Sequence, residues 1–146
     1  MIDRKWIGHA LPASVLPIER TRLQFFAKVI GETDPIYTDV SAARAAGYRD
    51  LLVPPTFLFA AELDSGAVLA MLGDLGVPVT KLLHGEQGFT YHAPVFAGDT
   101  VTVSSRIADV YSKKDGALEF VVKSSRAVNQ HGELVAELRA VLVCRH

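Results

Sequence analysis

Apolar positions recur along this chain with two different periods, and the change from one to the other divides it in two. Leu23, Phe26, Ala27 and Ile30 follow i, i+3, i+4, i+7, the spacing of one buried helix face. Pro17 suits the opening of that helix, because its fixed φ and missing N–H fit a first helical position, and Gly31 closes it. Asp34-Pro35 is a turn signal. Ser41 then caps a short Ala-rich helix that stops at Gly47. Leu51 to Thr56 reads as an extended approach: Pro54 holds Val53 extended, and Pro55 or Thr56 starts the next helix. From Thr56 to about Leu72 the chain is apolar on nearly every side, through Phe57, Leu58, Phe59, Ala60, Ala61, Leu63, Ala67, Val68, Leu69 and Met71. A helix with no polar face is one that other structure surrounds.

After Gly76 and Pro78 the period changes. Strand-like runs follow near residues 82–92, 100–111, 118–128 and 134–143, separated by Ala97-Gly98-Asp99, Lys114-Asp115-Gly116 and Gln130-His131-Gly132. Val101, Val103 and Ser105 alternate with Thr100, Thr102 and Ser104, a half-buried strand period. Short loops between consecutive strands predict antiparallel pairing. The pattern therefore predicts an α+β fold, a curved antiparallel sheet wrapped around a long apolar central helix. Such a sheet has open edges, so pairing with a second copy is expected.

Composition narrows the function classes. The 146 residues suit one domain spanning 1–146, with 49% apolar and 21% charged residues. A net charge of −1 with scattered basic residues argues against a nucleic-acid surface. The longest apolar runs contain prolines and are too short to span a membrane, and no signal peptide is expected behind Met1-Ile2-Asp3-Arg4-Lys5-Trp6. Cys144 is the single cysteine, so a reducing, cytoplasmic setting is expected. The five histidines show no metal spacing and no Gly-rich phosphate loop is present, so no metal or cofactor is expected.

Four segments carry a resemblance. Phe26-Ala27-Lys28-Val29-Ile30-Gly31-Glu32-Thr33-Asp34-Pro35-Ile36-Tyr37 resembles the hydratase signature of the MaoC-like (R)-specific enoyl-CoA hydratases and 3-hydroxyacyl-thioester dehydratases. Phe26, Val29, Gly31, Pro35, Ile36 and Ala43 match, whereas Ile30, Glu32, Asp34 and Tyr37 replace a small residue, Asp, Asn and His. Leu51-Leu52-Val53-Pro54-Pro55-Thr56-Phe57 resembles the family's approach to its central helix. The run from Leu83 to Val95 resembles a strand of the N-terminal-type dehydratase branch, and Phe96-Ala97-Gly98-Asp99-Thr100-Val101 resembles the turn that follows. The likeness covers about residues 16–143.

The resemblance implies a hot-dog fold that takes an acyl-CoA or acyl-carrier-protein substrate beside its central helix. It also implies a homodimer, or a heterodimer with another hot-dog subunit. The implied reaction is reversible hydration of a 2-enoyl thioester. One carboxylate and one histidine share the water, and backbone N–H groups stabilise the thioester oxygen. Residues Val53 to Thr56, Pro55 among them, are candidates for the thioester site. Glu32 keeps a carboxylate and is a candidate base, or else a solvated acid after a helix end. Tyr37 is a candidate donor, because a phenol is a poor base at neutral pH, or else a pocket-wall aromatic. Asp34 is a turn residue, or else a candidate pocket residue.

His84 and Glu86 form an alternative acid–base pair, because residues two apart on a strand share a face; the structural reading is a network bracing the sheet or dimer. His92 reads as a strand-end residue, while His9, His131 and His146 need no special role. Phe25, Phe26, Phe57 and Phe59 read mostly as core. Three readings compete with the autonomous hydratase. They are a substrate-binding subunit of a heteromeric dehydratase that has lost the Asp/His pair, a hot-dog acyl-CoA thioesterase, and a non-catalytic acyl-binding module.

Overall fold

The computed structural model describes residues 1–145, so His146 lies outside the described residues. Strands β1 (Ser14–Pro17), β2 (Leu82–Tyr91), β3 (Thr100–Lys113), β4 (Leu118–Val128) and β5 (Leu134–Arg145) form one antiparallel sheet in the order β1-β3-β4-β5-β2. Helices α1 (Arg20–Ile30), α2 (Val40–Ala45), α3 (Phe59–Asp64) and α4 (Ala67–Asp74) precede β2 in the chain. Single 3-10 turns occur at Arg4–Trp6, Pro35–Tyr37 and Val79–Lys81. The sheet is curled: register slips interrupt β2 between His84 and Glu86, β3 between Ile107 and Asp109, and the β4–β5 pair after Ala127. Each extra residue bends its strand and increases the twist. The architecture is the α+β hot-dog fold that the sequence pattern and resemblance predict.

Four local expectations are corrected. Pro17 ends β1 opposite Thr100 instead of opening a helix. An edge strand tolerates its missing N–H, and α1 begins only at Arg20. Ser41 does not cap α2; its N–H and that of Ala42 donate to the Asp39 carboxylate. On α1, Leu23 and Ala27 are fully buried, but Ile30 is 47% and Phe25 68% exposed, so neither belongs to the core.

The fourth correction concerns the central helix, which is two helices. Thr56 has φ +73°, outside the helical region, and α3 starts three residues later. At the other end Gly66 adopts φ +69° and separates α3 from α4. Glycine is the residue for which this left-handed conformation carries no Cβ penalty. The Ser65 hydroxyl accepts the Ala67 N–H at 3.2 Å and satisfies one free donor of the new helix. Ser65-Gly66 is a turn dipeptide that the apolar pattern around it outweighed.

The core has two apolar clusters. Leu23, Leu51, Phe57, Leu58, Ala61, Val101, Val103, Ala127 and Leu138 belong to one. Met71, Leu72, Ile107, Val110, Val121 and Leu142 belong to the other. Along β3 the inward stripe runs Val103, Ser105, Ile107, and along β4 it runs Val121, Lys123, Ser125, Ala127. A polar layer therefore separates the clusters. In it, Glu62 of α3 pairs with Lys123 and accepts hydrogen bonds from both serine hydroxyls, that of Ser105 at 3.0 Å. Glu62 and Lys123 are each only 2% exposed.

Candidate functional site

The segment after α1 turns sharply and uses its acids to do so. Gly31 takes φ +73° and ends the helix, and the Glu32 N–H returns to the Ala27 carbonyl at 2.9 Å. The Glu32 carboxylate folds back over its own loop. Its Oε1 accepts the N–H groups of Thr33 at 2.8 Å and Asp34 at 2.9 Å. Asp34 repeats the device one step on, accepting the Ile36 N–H at 3.0 Å and opening the 3-10 turn that carries Tyr37. The Leu52 N–H reaches the Ile36 carbonyl at 3.2 Å, which ties this turn to the approach to the central helices.

That approach is held equally firmly. The Val53 N–H donates to the Val95 carbonyl at 2.9 Å, and the Ala97 N–H donates to the Leu51 carbonyl at 2.9 Å. Pro54 and Pro55 have no N–H, and the Thr56 N–H donates to the Tyr91 hydroxyl at 2.9 Å. The backbone donors of Val53 and Thr56 thus already have acceptors, and a thioester oxygen would have to displace one of them.

Tyr37, Val53, Pro55, Leu58, Tyr91 and His92 line a cavity of about 340 Å³, together with Leu52, Pro54 and the segment Ala93–Val95. Its wall is mainly apolar, with two phenols and one imidazole as its polar groups, the general make-up of a small-molecule pocket. Of the candidates read from sequence, Tyr37, Val53 and Pro55 are in this wall, and Thr56 adjoins it through Tyr91. Burial, followed by the charges of Glu32 and Asp34, pushes the Tyr37 phenol above its ordinary pKa. It therefore stays protonated at neutral pH and can donate a hydrogen bond. Glu32 and Asp34 are neighbours of Tyr37 but do not line the cavity.

His84 and Glu86 lie elsewhere and do not project together. Because the β2 bulge falls between them, they pair with consecutive residues, Leu142 and Val141, and so leave the strand on opposite faces. His84 packs edge-on against Phe59 at 5.2 Å, and its Nε2 meets the Glu86 main-chain oxygen at 3.1 Å. The Glu86 carboxylate instead accepts a hydrogen bond from Arg139 at 2.8 Å. The same-face expectation assumed an unbroken strand.

His92 lines the cavity, whereas the sequence reading took it only as a strand-end residue. It follows β2, its N–H donates to the Val135 carbonyl, and its Nε2 lies 2.9 Å from Glu137 Oε2. The two residues are 45 positions apart, and only the β2–β5 register brings them together. The other described histidines are engaged away from the cavity, His9 against Trp6 and His131 beside Gln130. Among the described residues no cluster of His, Cys, Asp and Glu could hold a metal ion, and no helix is long and apolar enough to cross a membrane.

Comparison with known proteins agrees with the fold. The family described as the FAS1-like dehydratase domain region matches residues 5–138. A UPF0336 protein of Parafrankia sp. (strain EAN1pec) is 37% identical, over 99% of this chain and 95% of its own length. Among solved structures, the HadBC (3R-hydroxyacyl-ACP dehydratase) complex of Mycobacterium tuberculosis is 26% identical. It superposes with a TM-score of 0.80 over 94% of this chain and 96% of that one. The ChsH1–ChsH2 complex of the same organism, 24% identical, shares the fold with a TM-score of 0.65 over 95% and 98% of the two chains. This chain belongs to the FAS1-like dehydratase-region family, within the MaoC-like hot-dog superfamily.

Proposed function

We propose that this chain is one subunit of a hydro-lyase that interconverts 2-enoyl and 3-hydroxyacyl thioesters of CoA or a carrier protein. It supplies the acyl pocket, and a second hot-dog subunit supplies the acid–base pair. One observation carries this reading: the Glu32 carboxylate is engaged by the N–H groups of Thr33 and Asp34, and Tyr37 stands where a histidine would complete the pair. Hydration requires one group to take a proton from water as its oxygen bonds C3, and a proton to reach C2. A carboxylate whose Oε1 caps its own loop and which does not line the cavity, beside a protonated phenol, is poorly arranged for that. In this reading Tyr37 donates to the thioester oxygen, and Val53 and Pro55 hold the acyl portion.

The partner has a natural seat. β2 is an edge strand, mostly exposed, and Leu63, Leu69 and Leu83 are 46–60% exposed. Open strand edges and exposed apolar residues favour association. Two structural neighbours are themselves two-component complexes.

A second reading, an enzyme active alone, draws on the His92–Glu137 pair at the pocket wall. Kinetics with the purified chain, alone and mixed with a MaoC-like subunit bearing an intact Asp/His signature, separate the two. Loss of enoyl-thioester absorbance and release of free thiol are both followed. Turnover only in the mixture supports the subunit reading. Turnover by the chain alone, abolished by His92→Asn, overturns it in favour of the autonomous enzyme. Thiol release without hydration marks a thioesterase and overturns both.

A further inference from the structure

A second cavity, of about 230 Å³, lies between the central helices and the β2–β5 end of the sheet, apart from the Tyr37–His92 pocket. Phe59, Leu63, Leu69, Leu72 and Leu142 give it an apolar wall, and Lys123 contributes a buried amine. The cavity opens toward solvent past Leu63 and Leu69, and by volume, with ~150 Å³ enough for benzene, it has room for roughly eight carbons. Lysine in an apolar lining is unusual, because an ammonium carries three N–H donors and burial removes its water. Here Nζ meets Glu62 Oε2 in an ion pair and has no further hydrogen-bond partner among the described residues. The other Glu62 oxygen is engaged by Ser105 and Ser125.

We propose that this cavity is a binding site for an aliphatic group bearing one neutral oxygen acceptor, a hydroxyl or a carbonyl, which takes a free Lys123 N–H. The charge balance selects the neutral acceptor. Glu62 and Lys123 already cancel, so a carboxylate would place an uncompensated charge in an apolar interior, at high cost. A plain alkyl chain would fill the volume and leave the donors unmatched. Leu63 and Leu69 also belong to the face that would seat a partner subunit, so the site is tested on the chain alone; it does not depend on which subunit performs the hydration.

The test uses the purified chain with methyl-labelled leucine and three probes: 1-octanol, octanoate and octane. 1-Octanol is expected to shift the methyl signals of Leu63, Leu69 and Leu72 and to bind about tenfold more tightly than either of the other probes, the factor of a hydrogen bond to a charged donor. The charge-balanced Glu62→Gln/Lys123→Met variant is expected to lose that preference. Equal binding of octane, or tighter binding of octanoate, overturns the proposal. So do methyl shifts confined to Leu52 and Leu58 of the other pocket. Should the double variant not fold, Ala140→Leu fills the cavity from β5, and retained 1-octanol shifts in it overturn the proposal equally.

Discussion

The Thr56 N–H donates to the Tyr91 hydroxyl at 2.9 Å, joining the turn before the central helices to the last residue of β2. Thr56 also holds φ +73°, a left-handed conformation that costs an L-residue roughly 1–2 kcal/mol. The hydrogen bond offsets part of that cost and fixes one wall of the Tyr37–His92 pocket. Tyr91→Phe is expected to lower stability by about 0.5–1 kcal/mol. Thr56→Gly, which relieves the backbone, is expected to be neutral or to raise stability by up to about 1 kcal/mol. Urea denaturation of both variants checks the pair; destabilisation by the glycine would show that Thr56 is not strained.

Glu62 and Lys123 should be strongly non-additive. Burial pushes the Lys123 ammonium below the ordinary lysine pKa, while Glu62 pulls it back up. Removing one partner leaves the other charged and dry, so Glu62→Gln alone should cost on the order of 3–5 kcal/mol. Glu62→Gln with Lys123→Met should restore much of that, because no buried charge remains. A double-mutant cycle followed by thermal unfolding measures the coupling; simple additivity would mean that water reaches the pair.

Asp50 is expected to contribute to acid resistance. Its carboxylate takes two hydrogen bonds from Arg20, at 2.9 and 2.5 Å, and one from the Leu51 N–H at 2.8 Å. Arg20 foremost holds its pKa down at about 2, against an ordinary 3.8. A carboxyl with a depressed folded-state pKa stabilises the protein above its unfolded value. That contribution is lost as pH falls through the window from 3.8 toward about 2. Asp50→Asn should therefore cost on the order of 1 kcal/mol at pH 7 and progressively less on acidification toward pH 2, since Arg20 is largely solvated. Unfolding midpoints across that window would converge for the two proteins.

Gly85 should resist substitution where Gly88 does not. A Cβ on Gly85 would lie 2.8 Å from Val143 Cγ2 and 3.1 Å from the Val141 carbonyl oxygen, whereas at Gly88 the nearest atom is 3.8 Å away. Gly85→Ala is expected to cost about 1–3 kcal/mol by forcing the bulge apart. Gly88→Ala should fall within about 0.5 kcal/mol of the parent. Because the bulge sets which face His84 leaves from, Gly85→Ala should also shift the His84 ring signals in NMR spectra.

Some of this molecule was legible residue by residue, and the reasons differ. The alternation of Val101 and Val103 with Thr100 and Thr102 identified β3, because a strand's side-chain period is a local property. Local preference placed Gly31 correctly at a helix end and Asp34-Pro35 at a turn, and Asp34 does cap it. The Thr56–Leu72 run misled, since apolarity records burial and says little about whether a helix is continuous. Ser65-Gly66 held the local information and was outweighed.

The candidate site was less legible than the fold. Glu32 is chemically able to be a base, but its hydrogen bonds to Thr33 and Asp34 depend on the loop's exact path. His84 and Glu86 were paired by an even spacing that a single bulged residue reversed. His92 and Glu137, and likewise Glu62 and Lys123, are distant in sequence and meet only because strands and helices dock.

By itself, then, the sequence determined what depends on neighbours along the chain: the change of period that puts β2 to β5 after the helices, the turns at Gly31, Asp34-Pro35 and between those strands, and the family signature, but not β1 ahead of α1. Those follow from φ/ψ preferences and side-chain periodicity, which act over a few residues. Only the tertiary structure decided which acids have free oxygens, which histidine faces a pocket and where a buried lysine points. Hydrogen bonds and ion pairs act over about 3 Å in space, and register and packing, not spacing along the chain, set that distance.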